Sequence, residues 1–187
     1  MSNSVTTTIQ KFGLEQAFKF LYKDPDKNML KIMDWADKFD KDNLFADQRK
    51  VFHTIIENPD NNWYRLIKSL WTDIDPEVRK TFFENFIVNT SLIGSGRQDK
   101  AKEEHKCNIP WAILMDPTSA CNLHCTGCWA AEYGNKLNMS YETLNDIIRQ
   151  GTEIGTFMYI FSGGEPLVRK DDIIRLCEAH PDCMFLA

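Results

Sequence analysis

The sequence predicts a chain of two parts: an all-helical amino-terminal domain over residues 1–100 and an α/β domain over residues 107–187. Two observations support this division. Up to about residue 100, apolar residues recur at helical spacing behind residues that favour helix starts. After Lys106, short apolar runs alternate with amphipathic segments in the order strand, helix, strand, helix, strand. That order is typical of a parallel sheet with crossover helices.

Composition limits the function classes. The chain has 187 residues, 43% of them hydrophobic, and a net charge of −5, which disfavours a nucleic-acid-binding or anionic-membrane surface. No apolar run reaches the about 18 residues needed to cross a bilayer, and the start lacks the pattern of a secretory signal. We therefore expect a cytoplasmic protein, in which clustered cysteines serve more often as ligands or catalysts than as disulfides.

In the helical part, Asp-Pro pairs at Asp24 and Asp75 predict helix starts. Asp accepts hydrogen bonds from free backbone N–H groups, and Pro fits the first helical position. Val78 and Phe82 then repeat at helical spacing. Residues 93–106, IGSGRQDKAKEEHK, mix small and charged residues and are interpreted as the linker, with a short solvated helix inside it.

The α/β part follows from five short segments. Ser140 predicts an N-cap, and Gly151 is expected just past the end of the same helix. The predicted strands are IPWAILMD (109–116), TFMYIF (156–161) and CMFLA (183–187), and the predicted helices are MSYETLNDIIRQG (139–151) and RKDDIIRLCEAH (169–180).

Two unusual loops leave the predicted strands. CNLHCTGC follows the first strand with the spacing C-x3-C-x2-C, and SGGEP follows the second. Both loops lie at carboxyl ends of parallel strands, where such folds bind ligands. Three thiolates can hold zinc, for which His124 would be a candidate fourth ligand. They can also hold a [4Fe–4S] cluster with one iron left open. The remaining cysteines, Cys107, Cys177 and Cys183, are expected to be small buried residues.

CNLHCTGC after one strand and SGGEP after the next resemble the radical S-adenosylmethionine (SAM) enzyme family over about residues 107–187. The resemblance implies that Cys121, Cys125 and Cys128 bind a [4Fe–4S] cluster. Its open iron would chelate the amino and carboxylate groups of SAM.

The resemblance also assigns the second loop. It implies that four residues bind the methionine amino group of SAM: Gly163, Gly164, Glu165 and Pro166. One departure concerns the adenine, because the family often has an aromatic residue where this chain has Gly127. Trp129, just after the third cysteine, is a candidate adenine contact, and packing against the barrel is the alternative.

The fold that the resemblance implies is α/β, an incomplete (β/α) radical SAM-type partial barrel preceded by the all-helical domain. The chain offers two strand–helix units and the start of a third. We therefore expect the amino-terminal portion of a longer enzyme. The implied reaction is reductive cleavage of SAM by the cluster to a 5′-deoxyadenosyl radical, which abstracts hydrogen from an unknown substrate. A flavodoxin- or ferredoxin-type protein would donate the electron.

Two alternatives from other classes remain open. One is a metal- or cluster-binding module without catalysis, in which GGEP is a mere turn. It would retain metal without binding SAM. The other is an inactive fragment that acts through the helical domain, and a stable, partner-binding piece covering residues 1–100 would support it.

Overall fold

A computed structural model describes residues 12–13, 16–17, 19–21, 23–39, 46–128, 130 and 133–187. The chain divides into two compact units, Met1–Thr81 and Phe82–Ala187. None of the described helices is long and apolar enough to cross a membrane.

The described part of the first unit is built from helices. The last of these helices ends at Phe83, two residues after the unit's last residue, Thr81. The helices are α1 (Pro25–Phe39), α2 (Ala46–Ile56), α3 (Asn62–Thr72) and α4 (Pro76–Phe83). The Asp75 carboxylate accepts from the backbone N–H of Glu77 at 2.9 Å, as the Asp-Pro pair predicted. Buried Arg79 donates to the carbonyls of Leu70 and Trp71, which satisfies oxygen atoms at the end of α3. The extent of an independent helical domain over residues 1–100 stays a prediction.

A π-helix (Glu84–Gly94) and helix α5 (Ser95–His105) open the second unit. The predicted short helix is found, but residues 93–106 are not a free linker. The buried amide of Gln98 donates to the Gly155 carbonyl at 2.9 Å, and the Arg97 guanidinium lies 5.3 Å from the centre of the Phe157 ring. These contacts pack the segment against residues that lead into the sheet, which a count of charged residues does not reveal.

A parallel sheet in the order β1-β2-β3 forms the centre of the second unit. Its strands are β1 (Ala112–Met115), β2 (Met158–Phe161) and β3 (Met184–Leu186). Helix α6 (Tyr141–Glu153) connects the first two strands, and a 3₁₀ turn (Pro166–Arg169) with helix α7 (Lys170–Ala179) connects the second and third. The α/β prediction with a parallel sheet is therefore confirmed.

The helices bury their apolar faces on this sheet. Leu144 and Ile148 of α6 and Leu176 of α7 are fully buried in one cluster with Tyr159 of β2. The Ser140 side chain accepts from the Thr143 N–H at 3.1 Å, so the predicted N-cap is found.

Two local expectations were wrong. Helix α6 continues to Glu153, so Gly151 lies inside it rather than past its end. A Cβ at Gly151 would collide with the hydroxyl of Tyr159, which donates to the Ile148 carbonyl at 3.0 Å. Cys107 is exposed rather than buried, because it follows the end of α5 outside the core.

Gly155 is the position where a single methyl group would disturb this packing most clearly. Its φ is +98°, and a Cβ there would lie 2.5 Å from the Gly94 carbonyl oxygen and 2.8 Å from the Gln98 backbone nitrogen. We expect Gly155→Ala to lower the free energy of unfolding by about 2 kcal/mol, measured by urea titration followed by circular dichroism.

Gly96→Ala is the matched control, because no atom lies within 4 Å of the added Cβ and the residue is in helix α5. It should leave stability unchanged or raise it by up to about 1 kcal/mol. Equal stability of the two variants would contradict the packing described at Gly155.

Candidate functional site

The two predicted loops lie side by side beyond the carboxyl ends of β1 and β2. Backbone hydrogen bonds between the two segments continue past the ends of the strands. Three N–H groups of the second loop donate to carbonyls of the end of β1 and of the segment that leads into the first cysteine: Ser162 to Met115 at 2.9 Å, Gly164 to Thr118 at 3.0 Å and Glu165 to Ala120 at 2.8 Å.

This close approach requires the two glycines. Gly163 has a φ of +98°, and a Cβ there would lie 2.8 Å from both the Thr118 carbonyl oxygen and the Asp116 Cβ. A Cβ at Gly164 would overlap the Ala120 carbonyl group. The glycine pair thus brings the second loop against the segment that leads into the first cysteine.

The three clustered cysteines line one small cavity of about 120 Å³, with Gly164 in its wall. Cys125 is exposed, whereas Cys121 and Cys128 are half-buried. The chain turns sharply between the last two, where the Cys128 N–H donates to the Cys125 carbonyl at 3.2 Å. Gly127 in that turn has a left-handed φ of +74°, a conformation that L side chains rarely adopt. The backbone therefore gives a local reason for glycine at the position where the family often has an aromatic residue.

The chemistry of the donor set fits an iron–sulfur cluster. Soft thiolates are the ligands that such clusters take, and three of them line one cavity. His124 lines the same cavity. Within the described part of the chain, no group of three His, Cys, Asp or Glu side chains is placed to hold a single metal ion.

A larger cavity of about 460 Å³ adjoins the cysteine cavity. Ser119, Ala130 and Gly164 line both. Gly163, Asp116 and the segment around Leu137–Met139 complete much of the larger wall. A ligand in the larger cavity would therefore reach the cysteines across the Gly164 backbone.

Glu165 and Pro166 take local roles in the structure. One oxygen of the Glu165 carboxylate accepts from the Leu167 N–H at 3.0 Å and caps the 3₁₀ turn, in which buried Pro166 is the first residue. Neither side chain is among the described residues that line the two cavities. Trp129 lies outside the described residues. The cofactor roles assigned to the cysteines and to these residues stay predictions.

Sequence reasoning missed Asp116. It directly follows β1, lines the larger cavity and lies against Gly163. Among the described residues its carboxylate has no hydrogen-bond or ion-pair partner. The available signal was its position, because the first polar residue beyond a parallel strand faces the ligand edge of the sheet.

Comparison with known proteins supports the same interpretation. Residues 115–182 match the model of the Radical SAM superfamily. This segment runs from the last residue of β1 to just before β3 and includes both loops. The resemblance seen in the sequence is thus confirmed as a similarity to the Radical SAM superfamily over residues 115–182.

Two curated relatives match part of this chain. An uncharacterized protein of Archaeoglobus fulgidus is 41% identical over 68 residues, which cover 34% of this chain and 16% of that protein. The GTP 3′,8-cyclase of Geobacter sulfurreducens is 46% identical over 62 residues, which cover 31% of this chain and 19% of the cyclase. The chain thus matches less than a fifth of the length of either relative. No solved structure gives a significant match.

Cysteine labelling tests the arrangement of thiols. Burial raises the pKa of Cys183 to about 12, so roughly one thiol in ten thousand is ionised at pH 8. Iodoacetamide at pH 8 should therefore label Cys125 and exposed Cys107 in minutes and leave Cys183 unlabelled until the protein unfolds, as read by peptide mass spectrometry. Reactivity of Cys183 in the folded protein should rise as the pH approaches that pKa.

Anaerobic treatment with iron and sulfide provides the second arm of this test. Labelling should fall at Cys121, Cys125 and Cys128 but persist at Cys107, which follows α5 and lines neither cavity. Unchanged labelling of all three clustered cysteines would argue against a shared ligand role.

Proposed function

We propose that this chain carries the cofactor-binding part of a radical SAM enzyme. The observation that carries the proposal is the pair of adjoining cavities at the carboxyl edge of the sheet. One is lined by Cys121, Cys125 and Cys128 and the other by Gly163 and Asp116, whose carboxylate has no partner in the described part of the chain; Gly164 lies in the wall of both.

Bound together, a [4Fe–4S] cluster and SAM would supply one-electron cleavage of SAM to a 5′-deoxyadenosyl radical that abstracts hydrogen from a substrate. The chain's own contribution is binding and orientation. The three cysteines would hold the cluster as thiolates. Carbonyls of the Gly163–Gly164 segment, which lines the larger cavity, and the Asp116 carboxylate are acceptors that would suit the donor groups of SAM. The side chains that wall the larger cavity would limit water at the reacting atoms.

The proposal names the class of the electron-donating partner but no particular substrate. A flavodoxin- or ferredoxin-type protein would supply the electron, and a reducing, cytoplasmic location would suit three free cluster-binding thiols. The relative from Geobacter sulfurreducens is named for cyclisation of GTP. Its match with this chain covers only 19% of the cyclase, so we assign no substrate from it.

One observation favours a second candidate, a cluster-binding module without SAM chemistry. The Glu165 carboxylate is engaged in capping its own 3₁₀ turn. In that interpretation the Gly-Gly-Glu-Pro segment shapes a turn and nothing more. The two candidates differ in one property, which is whether the protein binds SAM.

Electron paramagnetic resonance of anaerobically reconstituted, dithionite-reduced protein separates them. We expect a [4Fe–4S]⁺ signal that changes shape when SAM is added, because an open iron takes up the cofactor. Cys125→Ser should abolish the signal, whereas Cys177→Ser, in helix α7 away from the site, should retain it. A signal that SAM does not alter would favour the second candidate, and zinc in place of iron would reject both iron–sulfur proposals.

Asp116→Asn tests the acceptor that faces the larger cavity. Removing the negative charge while keeping the shape should weaken SAM binding about tenfold, since hydrogen bonds to charged groups are the stronger ones. Equilibrium dialysis of the reconstituted protein measures the affinity, and iron and sulfide contents should stay the same.

Asp171→Asn, in the first turn of α7, is the matched control and should bind SAM like the parent protein. Equal affinities for the Asp116 and Asp171 variants would remove Asp116 from the site.

A further inference from the structure

Arg169 is a partly buried cation beside the site that the cofactor roles do not use. It is the last residue of the 3₁₀ turn that follows Gly163–Gly164, and its side chain is 16% exposed. A buried guanidinium needs acceptors for its N–H groups. The acceptors that it uses belong to the other loop of the site.

One nitrogen of Arg169 joins both ends of the cysteine loop, which we define as Pro117–Met139. Nη1 donates to the Pro117 carbonyl at 3.1 Å and to the Met139 carbonyl. The Met139 N–H itself donates to the Pro117 carbonyl at 3.0 Å, so the loop is closed at its base. Arg169 thus fastens that base to the turn that follows Gly163–Gly164.

Asp172 fixes the orientation of this guanidinium. Its carboxylate accepts from Arg169 Nε at 3.0 Å and from Arg169 Nη2, and its second oxygen accepts from Arg175 Nη1 at 3.2 Å. The Arg175 guanidinium in turn lies 3.8 Å from the centre of the Tyr141 ring, at the start of α6. The Arg169 guanidinium is planar, and the Asp172 carboxylate holds one side of it. The guanidinium therefore has little freedom to move away from the Pro117 and Met139 carbonyls on its other side.

The parts that Arg169 joins are the walls of the larger cavity. Leu137, Asn138 and Met139 line it from the base of the cysteine loop, and Gly163 and Gly164 line it from the second loop. The separation of these walls therefore depends on the Arg169 contacts as well as on the backbone pairing, and Arg169 is not itself among the described lining residues. A ligand that touches both walls gains affinity when their spacing is fixed before it binds.

We propose that Arg169, oriented by Asp172, is a positioning residue that sets the width of the larger cavity for its ligand. This inference rests on the proposed function, in which that ligand is SAM. It predicts that loss of the guanidinium weakens SAM binding while the cysteines still hold the cluster. Lysine should replace it poorly, because an ammonium group cannot bridge two carbonyls while paired in a fork with Asp172.

The test compares Arg169→Gln, Arg169→Lys and Asp172→Asn in the reconstituted protein. Equilibrium dialysis measures SAM affinity, iron and sulfide analysis measures the cluster, and circular dichroism measures folding. Arg149→Gln is the matched control, because Arg149 also pairs with an Asp in its own helical turn but lies in α6 and contacts neither loop.

We expect Arg169→Gln to weaken SAM binding about tenfold or more at unchanged cluster content, since it removes charge-assisted hydrogen bonds. Arg169→Lys should recover part of the loss. Asp172→Asn keeps the guanidinium and should weaken binding less, so it decides the question if Arg169→Gln does not fold. SAM affinities of the Arg169 and Asp172 variants within about twofold of Arg149→Gln would overturn the proposal.

A purely structural role has a different signature. Cluster content, helical signal and SAM binding would then fall together in Asp172→Asn as well as in the Arg169 variants, which would also overturn the proposal. Failure of the proposed function is recognised separately, because the parent protein would then hold its cluster and show no SAM binding.

Discussion

The site depends on one interaction, the backbone pairing of two loops beyond the ends of β1 and β2. The Gly164 N–H donates to the Thr118 carbonyl and the Glu165 N–H to the Ala120 carbonyl, one residue before Cys121. This pairing is possible because side chains are missing at Gly163 and Gly164, where Cβ atoms would meet the opposite backbone. The glycines are therefore required by the fold before any ligand is considered, and the shared cavity wall at Gly164 is a consequence of the pairing.

The core beneath the loops explains why their positions are well defined. Leu144, Ile148 and Leu176 fill the space between the crossover helices and the sheet, and the Tyr159 hydroxyl is satisfied by the Ile148 carbonyl. Burial raises the pKa of this phenol well above its ordinary value, so it remains a hydrogen-bond donor throughout the usual pH range. A loop that starts from such a strand begins at a fixed point.

The charged side chains near the two loops have different roles. The Glu165 carboxylate caps its own turn, and the Arg169 guanidinium binds carbonyls at the base of the cysteine loop. The Asp116 carboxylate is left facing the larger cavity. Local capping and loop closure thus use the charged groups of Glu165 and Arg169, and the Asp116 carboxylate is left available to a ligand.

Local features could be predicted from the residues alone: the helix start at Ser140, the alternation of strand and helix, the cysteine spacing and the Gly-Gly-Glu-Pro turn. Each depends on residues within a few positions of one another, so the pattern is complete in one stretch of the chain. Tertiary structure alone decided the packing of residues 93–105, the place of Gly151 beneath Tyr159, and the contact of Arg169 with Met139, 30 residues earlier. Such contacts join segments that the hydrophobic pattern does not connect, because they arise when the sheet brings distant backbone together.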